Sequence, residues 1–238
     1  MRPWHEDGAV NFEVIIDNLP KLLEGAGLTI ELVALALLLG MILALPTALM
    51  RESERWWLRA PAYGYIFFFR GTPLLVQIFL VYYGLGQFEA VRESVLWPIL
   101  REPFWCAIIA FALNTGAYTA EILRGAIEAV PAGAVEAARA YGMSKALSYR
   151  RIILPQAFRI AMPAYGNEII LMLKGSALAS TITLLDLTGM ARTIIARTYM
   201  PVEIFLAAGV FYLLMTFVFT QGYRQLERRL NRHLHLQR

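Results

Sequence analysis

Leu28 to Met50 reads LTIELVALALLLGMILALPTALM, and its one charged residue, Glu31, stands near the start. Arg51-Glu52-Ser53-Glu54-Arg55 follows, a solvated stop. A transmembrane helix takes about 20 predominantly apolar residues, so this run predicts a membrane span. Four further runs repeat the pattern. The second extends from near Ala60 to near Gly86 and is interrupted by Arg70-Gly71-Thr72-Pro73, which predicts a kinked or stepped path into the membrane. The third runs from Trp105 to Leu123. The fourth runs from Ala161 to Leu185 and carries Asn167, Glu168 and Lys174; the fifth runs from Val202 to Gln221. The expected fold is an all-α integral membrane protein with about five transmembrane helices, organised as one domain over residues 1–238.

Composition agrees. The chain is 58% hydrophobic with a mean hydropathy of +0.52, against about 45–50% apolar residues for a soluble domain. Cys106 is the one cysteine, which excludes a disulfide framework and a multi-cysteine metal site. It lies in an apolar run and reads as a small packing residue. His5, His233 and His235 stand near the chain ends, so no pair of them serves a core metal site. Met1 to Val10 contain acids and no apolar core, so no cleaved signal peptide is expected. The net charge of +4 is read by its placement around the spans, and no nucleic-acid partner is expected.

Five spans put the termini on opposite sides. The segments 51–59, 124–159 and 224–238 together hold fourteen Lys and Arg, and the alternate set 1–27, 87–104 and 186–203 holds six. Positive charge favours the cytoplasmic side, so the N-terminus is expected outside and the C-terminus in the cytoplasm. Asn11 to Leu23 is amphipathic. It reads either as a helix on the outer membrane surface or as an ordered lead-in to the first span.

The third and fourth spans are joined by a cytoplasmic loop, residues 124–160, with internal structure. Ala134-Val135-Glu136-Ala137-Ala138-Arg139-Ala140-Tyr141 is strongly helix-forming. Gly142 follows where a helix C-cap favours a left-handed residue, and Ser144 is placed to cap a second helix through Leu154 and Pro155. A helix, a glycine corner and a second helix are expected. The alanines leave a slim surface suited to a partner's groove, although a solvated hairpin holding two spans together has the same sequence pattern.

Glu136-Ala137-Ala138, three residues, Gly142, nine residues and Ile152-Ile153-Leu154-Pro155 resemble the EAA loop of bacterial ABC-importer permeases. Phe69-Arg70-Gly71-Thr72-Pro73-Leu74-Leu75-Val76-Gln77 and Leu113-Asn114-Thr115-Gly116-Ala117-Tyr118-Thr119-Ala120-Glu121 resemble segments of the polar amino-acid permeases, in the histidine, lysine, arginine, ornithine and opine branch. Tyr165-Gly166-Asn167-Glu168 resembles a third segment. The resemblance implies a type I ABC-importer permease of the bacterial inner membrane, working with a second permease subunit, identical or related. It further implies two copies of a cytoplasmic ATP-binding subunit and an extracytoplasmic amino-acid-binding protein. Glu136, Ala137, Ala138, Gly142, Leu154 and Pro155 are then expected to couple to the ATPase. The chain has no phosphate-binding glycine loop, so it is expected not to be an enzyme, and ATP and Mg are expected in the partner alone.

Polar groups inside spans are costly and become functional candidates. Asn114, Tyr118 and Glu121 share a face of the third span at i, i+4 and i+7. Asn114 suits substrate contact or an interhelical hydrogen bond; Glu121 suits substrate contact or a pair with Arg124. Glu168 suits a cationic substrate through a charge-assisted bond, or an ion pair with Lys174 or Arg70. Arg70 with Gly71, Thr72 and Pro73 reads as a kink and interfacial anchor, with a ligand site as the alternative. Related permeases carry a polar residue after the lysine of the fourth span, and this chain has Gly175 there, so the partner permease becomes an alternative holder of substrate. A stand-alone secondary transporter is the rival reading, but no internal repeats are seen. An intramembrane enzyme lacks a histidine in any span.

Overall fold

A computed structural model of the chain describes residues 11–230 and is built of helices and turns. The first helix, α1, spans Phe12–Arg51, 40 residues without a break. The Asn11 side chain caps its start, accepting a 3.1 Å hydrogen bond from the Glu13 amide. Pro20 and Pro46 lie within it and do not end it. The amphipathic segment 11–23 is therefore a continuous lead-in to the first span, not a separate helix. Its buried face repeats at helical spacing through Leu22, Ala26, Thr29, Val33, Ala36, Gly40, Ala44 and Ala48, while Ile30, Leu38 and Ile42 face outward.

The second apolar run is not one rod. Helix α2, Trp56–Gly71, stops at Thr72, and α3, Leu74–Phe79, restarts after Pro73 and continues through a π-helical turn, Leu80–Gly84, and a 3₁₀ turn, Leu85–Gln87. The two halves meet at 108°. Proline lacks an amide proton and disfavours helical backbone in the residue before it; Thr72 is extended, at φ −114° and ψ 146°. The step expected from the sequence is a full corner. Two short helices, α4, Glu89–Arg92, and α5, Trp97–Leu100, lead to α6, Pro103–Glu128.

α6 is the central post. Its most apolar stretch is 72% buried, against 33% in α1 and 22% in the last helix. α1 lies along it where Gly40 faces Gly116. A β-carbon on Gly40 would stand 3.2 Å from the Gly116 nitrogen and 3.3 Å from the Ala112 carbonyl oxygen. Small residues of this kind let two membrane helices approach through their backbones. Tyr65 of α2 ties on by donating a 2.6 Å hydrogen bond to the Leu113 carbonyl. Cys106 is buried and unpaired in this post, with its thiol 3.0 Å from the Leu100 carbonyl oxygen.

After α6 the chain forms an elbow. Helix α7, Ala132–Ala140, ends at Gly142, which takes the left-handed conformation at φ +71°. The Ser144 side chain caps α8, Lys145–Ser148, accepting from the Leu147 amide at 3.3 Å. A π-helical turn, Tyr149–Ile153, then runs into α9, Leu154–Gly175. The second helix of the loop is thus the beginning of the fourth span, and helical structure continues through a 3₁₀ segment to Ile182. The left-handed Thr183 (φ +67°) ends it. Asp186 caps α10, Leu187–Thr198, at 49° to the preceding rod. Helix α11, Pro201–Leu230, completes the described fold.

Among the described residues, three helices are long and apolar enough to cross a membrane singly, and five spans result when each bent pair counts as one. His5, His233, His235 and the acidic segment 1–10 lie outside the described residues.

Candidate functional site

The corner between α2 and α3 opens a cleft of about 480 Å³, within the range of about 300–1,000 Å³ usual for small-molecule sites. Arg70 to Leu74 form one wall. Asn114 and Tyr118 of α6 form the floor, and Glu168, Leu171 and Met172 of α9 form the far wall. Irregular backbone at membrane depth is tolerated where it lines such a cavity.

Gln77, buried at 2% exposure, makes the corner chemically complete. Its side-chain nitrogen donates to the Phe69 carbonyl (2.8 Å), the Thr72 carbonyl (3.0 Å) and the Thr72 hydroxyl (2.8 Å). These carbonyls lie at the end of α2, where a helix leaves acceptors without intrahelical partners. Asn114 then donates to the Gln77 Oε1 at 2.9 Å and to the Phe69 carbonyl at 3.3 Å. Asn114 therefore both makes an interhelical hydrogen bond and lines the cleft. Gln77 was not singled out by the sequence reading; the signal available was an amide in an apolar run, four residues after Pro73.

Glu168 is 5% exposed and accepts a 2.9 Å hydrogen bond from the Thr115 hydroxyl. It makes no ion pair among the described residues: Lys174 is exposed, and Arg70 does not come within pairing distance. Arg70 instead lies over the Tyr118 ring, 5.3 Å from its centroid. The cleft thus holds one carboxyl group and one guanidinium that do not form an ion pair with each other.

Glu121 does not line this cleft. Its carboxylate meets Arg124 at 2.6 Å, one turn along the helix. Arg124 also binds Glu128 at 2.5 Å and reaches Glu52 at 3.7 Å, which joins the end of α1 to the end of α6 beside the elbow. Of the two arrangements open to Glu121, the structure shows the pair with Arg124.

At the elbow, Glu136 and Ala137 are exposed, Leu154 is half-buried and Pro155 is exposed. Ala138 differs from the expectation of a free alanine face: at 3% exposure it packs against its own chain. Tyr141, missed in the sequence reading, is 86% exposed beside the Gly142 corner. An isolated large aromatic on a tight turn is the signal that points to it.

Residues 36–232 match the family described as binding-protein-dependent transport system inner membrane component. The chain belongs to that family. It is an ABC-importer permease subunit and a multi-pass inner-membrane protein. The octopine transport system permease protein OccM of Rhizobium meliloti is 56% identical to this permease over 197 residues, covering 83% of this chain and 80% of that protein. The histidine/lysine/arginine/ornithine transport system permease protein HisM of Escherichia coli (strain K12) is 44% identical over 211 residues, covering 88% and 89%. The crystal structure of an amino acid ABC transporter with histidines superimposes with a TM-score of 0.83 at 38% identity, over 93% of this permease and 99% of that chain. The type I importer architecture is therefore that of this permease.

Proposed function

We propose that this permease conducts basic amino acids, and opines built on them, through the cleft at the α2–α3 corner. The observation that carries the reading is Glu168: among the described residues, a buried carboxylate with a single side-chain hydrogen bond and no ion pair. Burying such a charge is costly unless a partner compensates it, and a guanidinium or ammonium group of the cargo supplies that partner. The similarity to permeases named for octopine and for histidine, lysine, arginine and ornithine supports the same class. Asn114 and Tyr118 line the same path. Glu121, held by Arg124, stands at its elbow end.

The elbow faces the cytoplasm in this reading, with the N-terminus periplasmic and the C-terminus cytoplasmic, as the fourteen-to-six charge asymmetry supports. Glu136, Ala137, Ala138, Gly142, Leu154 and Pro155 form or brace the surface that seats in an ATP-binding subunit. Two such subunits, a second permease, related or identical, and an extracytoplasmic binding protein complete the importer. ATP and Mg belong to the ATP-binding subunits. Reconstitution of the complex in proteoliposomes tests this: ATP-dependent uptake of labelled arginine is expected, and uptake of acidic amino acids alone would refute the cargo class.

A further inference from the structure

A second cavity, of about 250 Å³, opens between α9 and α11. It lies on a different face of α9 from Glu168 and the cargo cleft. Tyr223 fixes the two helices there. Its hydroxyl donates a 2.8 Å hydrogen bond to the Met162 carbonyl, and its ring takes the space beside Gly166, where a β-carbon would stand 2.6 Å from it. Helix α11 carries no charge from Ile204 to Tyr223, about the length of one span, so the cavity stands where that helix leaves the hydrocarbon. The lining is ordered along the helix axis. Ile170 and Phe219 are apolar and lie deepest, and Asn167 and Thr220 come next. Asn167 is exposed despite its place in a span, where an amide seeks a polar partner. Arg224 is one turn further out than Thr220, about 6 Å, and Glu227 is about 4.5 Å beyond Arg224. Arg224 and Glu227 stand at i, i+3 without closing an ion pair within 4.0 Å among the described residues.

We propose that this cavity binds a phospholipid whose headgroup ends in a primary ammonium. From the mouth inward, such a lipid presents an ammonium, a phosphate, glycerol esters and acyl chains. In the same order the wall presents Glu227, then Arg224, then Asn167 with Thr220, then Ile170 with Phe219. Each group meets its complement. Arg224 offers a planar fork to the phosphate. Glu227 accepts hydrogen bonds from the ammonium. Asn167 and Thr220 offer donors to the ester carbonyls. An arginine alone would suit any phospholipid, and an anionic one best; the acid at the mouth opposes net negative charge and favours a headgroup with a free ammonium. A trimethylated headgroup keeps the charge but has no N–H to donate. A bound lipid of this kind clamps α11 to α9 at the membrane boundary. With the C-terminus cytoplasmic, as proposed above, it belongs to the inner leaflet. Binding here is independent of which cargo the permease carries.

The test uses the assembled complex of permeases and ATP-binding subunits, delipidated in detergent and titrated with synthetic lipids of one acyl composition while bound lipid is counted by native mass spectrometry. The probes are phosphatidylethanolamine, phosphatidylcholine and phosphatidylglycerol. The wild type is expected to bind one phosphatidylethanolamine about tenfold more tightly than either of the others, the usual worth of a charge-assisted hydrogen bond. Glu227→Gln should bring phosphatidylethanolamine within about threefold of phosphatidylglycerol. Arg224→Gln should weaken all three lipids about tenfold, and Arg224→Lys should restore part of the loss, since charge remains and the planar fork does not. Equal binding of the three lipids by the wild type overturns the headgroup assignment without need of any variant. A wild-type preference that survives both Glu227→Gln and Arg224→Gln overturns the location. A photoreactive benzoylphenylalanine placed at Phe219 is expected to capture phosphatidylethanolamine; capture of the second permease in its place shows that protein covers the cavity and overturns the lipid site.

Discussion

The Thr115 hydroxyl donates a 2.9 Å hydrogen bond to the Glu168 carboxylate, joining the middle of α6 to the middle of α9. It is the one side-chain donor to that carboxylate among the described residues. Thr115→Val keeps the shape and strands the charge, at a cost of about 1–3 kcal/mol. A lower melting temperature of the purified complex is expected. Glu168→Gln keeps an acceptor for Thr115 and removes the charge, so its melting temperature should match or exceed wild type. Its KM for arginine uptake should rise about tenfold or more. A Thr115→Val complex that melts like wild type would show that Glu168 is satisfied in another way.

Gln77 closes the carbonyls at the end of α2, and Asn114 supports Gln77. Gln77→Leu leaves the Phe69 and Thr72 carbonyls without this donor, at about 1–3 kcal/mol for each buried group left unpaired. Asn114→Ala leaves the three Gln77 bonds in place. The expected order of thermal stability is therefore wild type, Asn114→Ala, Gln77→Leu. Inversion of the two variants would move the support of the corner from Gln77 to Asn114.

Gly142 sits at φ +71° with open space around it. A larger residue there suffers from backbone geometry and not from collision. Gly142→Val is expected to cost about 1–2 kcal/mol locally and to reduce copurification of the ATP-binding subunit. Gly142→Asn, which tolerates the left-handed region, should retain more. Tyr141→Ala should weaken copurification without lowering the melting temperature, because the ring is 86% exposed. Unchanged copurification in both Gly142→Val and Tyr141→Ala would place the docking surface elsewhere.

Glu52 lies just past the end of α1, where burial, and then the nearby Glu128, raise its pKa above the ordinary 4.5 against the opposing pull of Arg124 and Arg51. A raised acid favours the folded state in its protonated form. Its stabilising contribution is present below pH 4.5 and is lost as pH rises through the folded value. Glu52→Gln should therefore gain melting temperature relative to wild type at pH 7.5, with the gain shrinking toward pH 5. An equal difference at both values would show that Glu52 does not titrate against folding.

The spans were legible because their apolar runs exceed what a soluble core needs, and the elbow was legible because Gly142 and Ser144 are local signals that act on their own neighbours. The 108° corner was half legible: Pro73 announces a break, but its angle depends on Gln77 and Asn114 meeting across 37 positions of sequence. Helix α10 is too polar to stand out as an apolar run and reads as a connection, although Asp186 followed by Thr188 and Gly189 carries its cap. Asn114, Tyr118 and Glu168 were found from polarity within apolar runs and do share a cleft. Glu121 shares their helical face in sequence, but Arg124 turns its carboxylate to the elbow end. Ala138 turns inward because a nine-residue helix packed on its neighbours must bury one side, and composition alone does not say which.

The corner also bears on how the protein enters the membrane. At 16 residues, α2 is shorter than the roughly 20 that a bilayer asks of a helix, and the stretch from Leu74 to Gln87 is shorter still. Asn114, which steadies Gln77, belongs to α6 and leaves the ribosome later. The Gln77 bonds to Phe69 and Thr72 lie within the second segment itself, so the corner has its own closure before α6 arrives. Biogenesis of this permease therefore has a built-in order in which the corner is set first and the central post then clamps it.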